Sequence, residues 1–220
     1  MQECPIAIDC ARREGHKLPY VYILTNLAMP DMIKIGKTST SVEQRMGELN
    51  RHSGVPLPFT CFYAAEVSDA DLVEKKLHHA FGDHRVRPQR EFFYLSPSRA
   101  QSVLELVAIS DATPREEIFD DNPQEAEEAI EKSLKRKLPT FEEYGIPLGS
   151  TLTFQKDPSI VAVVDGQRTV LFNNESASMT SAALQALKQL GYNWKSVQGP
   201  AYWEYEGETV LDRFHRIRED

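Results

Sequence analysis

Two short runs rich in β-formers lie close together near the start of the chain. They are Tyr20–Leu24 (YVYIL) and Met32–Lys37 (MIKIGK), with Pro19 before the first and the polar turn Asn26–Asp31 between them. Such a pair predicts a β-hairpin. Period-two alternation puts Tyr20, Tyr22 and Leu24 on one face and Val21 and Ile23 on the other. In the second run Met32, Lys34 and Gly36 share a face. A hairpin needs something to pack on, and the following sequence supplies it. Thr40-Ser41-Val42-Glu43 reads as a capping box, and Val42, Met46 and Leu49 follow at helical spacing. A helix is therefore expected from about Ser41 to Arg51, ended by Gly54-Val55-Pro56. Phe59–Val67 reads as a third strand. Ser68-Asp69-Ala70-Asp71 starts a second helix, with Leu72, Leu77, Ala80 and Phe81 as its expected core side and Gly82 as its stop. After a basic loop, Glu91–Leu95 reads as a short strand and Ser96-Pro97 opens a third helix to about Ala108. This order predicts a compact α+β or α/β domain, a small mixed sheet flanked by helices.

The chain has 220 residues, which suits two domains better than one. Its hydrophobic content of 41% and charged content of 26% exclude a collagen-like or wholly disordered chain. No apolar run approaches a membrane span, and the N-terminal sequence lacks the layout of a signal peptide. Cys4, Cys10 and Cys61 cannot all pair and form no Cys-x-x-Cys, so a cytoplasmic protein without a disulfide framework is expected.

The net charge of −8 is unevenly spread. Residues 1–110 hold thirteen basic and thirteen acidic side chains, residues 111–140 five and nine, and residues 141–220 seven and eleven. Acidity counts against nucleic-acid binding unless a neutral domain gathers its cations on one face. The expected divisions are an N-terminal extension (1–17), a first domain (18–109), an acidic connector with one exposed helix (110–140) and a second domain (141–220). In the last, Thr151–Phe154 and Ile160–Val164 read as strands, and Arg168–Phe172 pairs back across Asp165-Gly166. Ser178–Leu190 reads as a helix stopped by Gly191, Ala201–Tyr205 as a strand, and Glu208–Arg218 as a closing helix.

Within the first domain, Tyr22 and Lys34 lie on one face of the hairpin, Arg45 one turn into the next helix, and Glu91 at the start of a strand. A phenol, an ammonium, a guanidinium and a carboxylate suit phosphodiester hydrolysis. Arginine binds a phosphate oxygen with two donors and stabilises charge that grows in the transition state. A single carboxylate can hold Mg²⁺, which takes other ligands from water and phosphate. A tyrosine is a weak base until a nearby cation, such as Lys34, favours its phenolate. Each residue also has a plain reading: a packed ring, an edge lysine, an Arg45–Glu48 or Arg45–Glu43 pair, a charge answering Arg90. Their joint order gives the first reading its weight. The basic loop residues Arg85, Arg87 and Arg90, with Lys75 and Lys76, offer a surface for a nucleic-acid backbone. Glu74 and His78 stand four apart and could share a metal, though an exposed helix pair is the expected reading.

That order resembles the GIY-YIG nuclease superfamily over about Pro19–Leu106. Tyr20-Val21-Tyr22 stands where GIY stands and Lys34-Ile35-Gly36 where YIG stands. Arg45 matches the helix arginine, and Glu91 in Arg90-Glu91-Phe92-Phe93 matches the metal-binding glutamate. The stretches Asp31–Thr38, Gly54–Phe59 and Arg90–Phe93 are similar to a phage- and bacteria-borne branch with KIG in place of YIG. The resemblance implies a catalytic set of Tyr22, Lys34, Arg45 and Glu91, with Glu91 on Mg²⁺ or Mn²⁺, and DNA as substrate. Tyr20 replaces the first glycine, and Leu49 stands where many members have a histidine. His52, His78 or His84 could stand in for that histidine, Lys37 could contact phosphate, and Tyr20 is a further supporting candidate.

The last eighty residues are similar to the RAMA type, a small domain found beside restriction enzymes and adenine methylases. Gly145-Ile146-Pro147-Leu148-Gly149, Gly191-Tyr192-Asn193-Trp194 and Tyr202-Trp203 carry this. The similarity implies a DNA- or modification-sensing role, with Trp194, Tyr202 and Trp203 as candidate base-stacking rings. The combined expectation is a metal-dependent DNA endonuclease that restricts foreign or phage-modified DNA, as a homodimer if it cuts both strands. The alternatives are an inactive DNA-binding module and a protein-interaction adaptor.

Overall fold

The computed structural model describes residues 18–52, 57–116 and 139–219. The first unit is built on β1 (Tyr20–Thr25), β2 (Ile33–Thr38), β3 (Thr60–Glu66), β4 (Phe92–Phe93) and β5 (Ser110–Asp111), in the order β4-β2-β1-β3-β5. Helices α1 (Val42–His52), α2 (Ala70–Ala80) and α3 (Pro97–Glu105) cover it. The class is α+β, as expected. Every pair of named strands is antiparallel, however, where a mixed sheet was expected. Each helix that links two strands returns the chain so that the next strand runs against its neighbour.

The hairpin register is Tyr22↔Gly36 and Leu24↔Lys34. Its two faces separate as the alternation predicts. Val21, Ile23, Ile33 and Ile35 enter one core cluster, and Tyr22 and Leu24 enter another with Val42 and Met46 of α1. The N-cap of α1 is Ser41, whose Oγ accepts from the Gln44 amide at 3.1 Å, one residue later than the expected box. On α2 the buried residues are Ala70, Glu74 and Leu77. Leu72 and Ala80, expected in the core, face outward. Glu91–Leu95 shortens to the two-residue β4. The expected turn at residues 54–56, the N-terminal extension and the connector helix lie outside the described residues.

The second unit is a six-stranded sheet: β6 (Thr151–Phe154), β7 (Asp157–Val164), β8 (Thr169–Phe172), β9 (Glu175–Ser178), β10 (Trp203–Tyr205) and β11 (Glu208–Thr209), ordered β11-β10-β6-β7-β8-β9. Helix α4 (Met179–Gln189) is capped by Ser178, which accepts from the Ser181 amide, and α5 (Val210–Glu219) ends the fold. Leu152, Phe154, Ala162, Val164, Val170 and Phe172 turn inward against Ala182, Ala183, Ala186 and Leu187. Strand β9 was not foreseen, although Asn173 and Asn174 (φ 52° and 66°) form the left-handed turn that a tight hairpin requires.

The two units share one core. Phe62 is the extra residue of a bulge in β3, between the pairs Ile23↔Tyr63 and Leu24↔Cys61. Its ring meets Tyr202 at 4.9 Å. Trp194 Nε1 donates to the Pro114 carbonyl at 3.1 Å, and Gln198 Nε2 to the Asn26 carbonyl at 3.3 Å. Trp203 is fully buried, donates from Nε1 to the Met179 carbonyl at 3.0 Å, and meets Phe154 and Phe172 edge-on. Trp203→Ala should therefore destabilise the chain by about 3–5 kcal/mol, measured by denaturant unfolding.

Candidate active site

The site begins with the Tyr22 ring. It is almost fully buried on the α1 side of the sheet and lies directly over Gly36. A Cβ at Gly36 would stand 2.7 Å from Tyr22 Oη and 2.8 Å from Cζ and Cε2. The glycine is needed for this close approach. From α1, Arg45 Nε donates to Tyr22 Oη at 3.4 Å, while Nη1 donates to Glu48 at 3.1 Å. Lys34, the next residue on that face of β2, is buried rather than a solvated edge lysine, and its ammonium bonds the Glu91 carboxylate. Phe92 lies beneath the ammonium, 5.7 Å from its ring centre. Four side chains distant in sequence thus converge on one end of the hairpin.

Their electrostatics are coupled. Burial pushes the Tyr22 phenol above its ordinary value, and the hydrogen bond and charge of Arg45 oppose this without overcoming it. The expectation that Lys34 favours a Tyr22 phenolate does not match the structure. Lys34 is committed to Glu91, and the Tyr22 phenol holds its proton at neutral pH. Burial raises the Glu91 carboxyl too, but Lys34 outweighs it, with His78 and Arg45 adding to the effect, so the group lies below the ordinary glutamate value.

Within this cluster Glu91 could hold a cation. Among the described residues no group of three or more His, Cys, Asp or Glu is arranged to hold a metal. A single carboxylate that already draws an ammonium fits a hydrated divalent ion completed by substrate oxygens, and does not fit a closed structural site.

The supporting candidates fall elsewhere. Tyr20 is half-buried at the start of β1, its phenol raised by burial and then by Glu66 and Glu43. Lys37 is held by Glu74 and Asp71, which keep its ammonium above the ordinary lysine range. The side chain of His52 lies outside the described residues. His84 lines a separate cleft of about 540 Å³ with Tyr94, Arg99, Gln155 and His215.

Lys75 and Lys76 are exposed on the outer side of α2, and Arg87 and Arg90 are exposed in the loop before Glu91. Arg85 is half-buried, bonding the Arg90 carbonyl at 2.6 Å and lying 5.6 Å from the centre of the Phe93 ring. Trp194, Tyr202 and Trp203 are buried in the shared core at 7%, 1% and 0% exposure, so they form no open stacking wall. Burial drives the Tyr202 phenol far above its ordinary value. Glu74 is buried against Lys37 instead of forming an exposed pair with His78. Its place on one helical face with Ala70 and Leu77 was the sequence signal for this.

Residues 19–108 match the family model of the T5orf172 domain, a family associated with nuclease-type domains. The match spans the first unit and includes Tyr22, Lys34, Arg45 and Glu91. No curated protein and no solved structure matches the chain. Among the described residues no helix is long and apolar enough to cross a membrane.

Gly36→Ala should push the Tyr22 ring out of its place, costing on the order of 1–3 kcal/mol in unfolding free energy and altering Tyr22 fluorescence and ring NMR shifts.

Proposed function

We propose that the chain is a metal-dependent DNA endonuclease of the GIY-YIG type, acting in restriction of foreign or phage-modified DNA. The observation that carries this reading is the Tyr22–Arg45 and Lys34–Glu91 cluster, gathered across β1, β2, α1 and the segment before β4. The nuclease-type association of the matched domain supports it.

In this reading Arg45 binds a phosphate oxygen and steadies the charge that builds there. Tyr22, positioned over Gly36 and bonded by Arg45, first gives its phenolic proton to solvent and then accepts one from the attacking water. Glu91 holds Mg²⁺ or Mn²⁺, whose charge would neutralise the leaving oxygen. Lys34 keeps Glu91 ionised and in place. Arg87, Arg90, Lys75 and Lys76 supply backbone contacts that give affinity without reading sequence. The second unit, with its RAMA-like signature, senses DNA or its modification through surfaces other than its three buried rings. A cut through both strands calls for two copies of the site.

A plasmid-nicking assay with Mg²⁺ or Mn²⁺ tests this. Wild type should nick, and Tyr22→Phe should lose roughly 10²–10⁴-fold in rate. Glu91→Ala should be inactive, and cleavage equal to wild type would remove the metal site. A raised Tyr22 phenol predicts a rate that climbs with pH from 7 towards 10 without levelling, because the phenolate fraction is still growing there.

A further inference from the structure

On β2, strand β4 pairs with Ile33 and Lys34. Beyond Lys34, no strand among the described residues continues along the outer edge of β2. Ile35 nevertheless leaves neither backbone group open. Its amide donates to the Glu91 carbonyl at 3.1 Å, and its carbonyl lies 3.0 Å from His78 Nε2 on α2. A carbonyl oxygen has no proton to give, so Nε2 carries one and donates. The His78 ring is set by Phe93, with centroids 5.1 Å apart. One turn earlier on α2, Glu74 grips Lys37. Helix α2 therefore holds β2 on both sides of Gly36, doing what a longer β4 would have done.

We infer that His78 is a positioning residue of the candidate active site. It fixes the Ile35 carbonyl, the Ile35 amide on the other side of the same Cα fixes the Glu91 carbonyl, and the Glu91 backbone sets where the carboxylate points. The catalytic consequence rests on the nuclease reading; the chain of hydrogen bonds does not. An edge carbonyl could be satisfied by water with no effect on the site. A positioning role differs because it changes turnover more than substrate binding.

The test uses the full chain with His78→Phe, which keeps a ring against Phe93 but has no donor, and His78→Gln, whose amide nitrogen has a similar reach to Nε2. Amide exchange at Ile35 by NMR and nicking kinetics are read together. His78→Phe should speed Ile35 exchange by about tenfold or more. It should lower kcat by about tenfold or more, with the KM for plasmid DNA within about twofold of wild type. His78→Gln should recover most of both losses. Unchanged Ile35 exchange and kcat in His78→Phe would overturn the inference. So would a fall in kcat that His78→Gln does not restore. If wild type nicks under no metal, the nuclease reading fails and Ile35 exchange alone decides the role of His78. If His78→Phe does not fold, nitrogen NMR of the wild-type ring decides: the Nε2–H tautomer supports the assignment and the Nδ1–H tautomer overturns it.

Discussion

The pairing of β1 with β2 in one register is what the candidate site depends on. With Tyr22 opposite Gly36, a bulky ring finds the one position on the neighbouring strand without a side chain. With Leu24 opposite Lys34, the ammonium emerges on the same face, beside the start of β4. A slip of one residue would send Tyr22 to the α2–α3 side and exchange the two hydrophobic sets. The core clusters on the two sides of the sheet make such a slip costly, because Val21, Ile23, Ile33 and Ile35 would lose their places together.

The hairpin was legible in the sequence because strand faces follow a period of two, the first run is rich in β-formers and the second alternates in step with it. The convergence of Tyr22 with Lys34 follows from that alternation. Arg45 was legible because a helix starting at the end of β2 returns its first turns over the hairpin. Other features depended on three-dimensional context. The helical face with Ala70 and Leu77 hints that Glu74 is buried, but the Lys37 that neutralises it there is set by tertiary contacts. The shortness of β4 could not be read from Glu91–Leu95, where Phe92, Phe93 and Tyr94 stand in a row. The Tyr94 amide turns away to donate to the His84 carbonyl at 2.8 Å, which ends the ladder there.

The second unit shows the same limit more sharply. Trp194, Tyr202 and Trp203 form an aromatic cluster in sequence, and aromatic clusters occur both in cores and on stacking surfaces. The structure puts them in a core continuous with the first unit, through Phe62 at the β3 bulge. No strand pattern announces that bulge, because Thr60–Glu66 is apolar on both faces. The indole hydrogen bonds of Trp194 and Trp203 to Pro114 and Met179 then satisfy the polar atoms that burial would otherwise leave unpaired.

Charge balance in the first unit gives its neutrality a specific meaning. Lys34 is matched by Glu91, Arg45 by Glu48, and Lys37 by Glu74 and Asp71. The cations nearest the Tyr22 hydroxyl are thus internally compensated, and a phosphate arriving there competes with carboxylates already in place. Lys75, Lys76, Arg87 and Arg90 differ: they are exposed and have no carboxylate partner among the described residues. In the proposed nuclease, long-range attraction for DNA would come from α2 and the loop before Glu91, and short-range binding from exchanging one set of ion pairs for another. Screening by salt acts strongly on the exposed groups and weakly on the buried Lys34. In that reading, encounter and chemistry would fall to different cations of the same small domain.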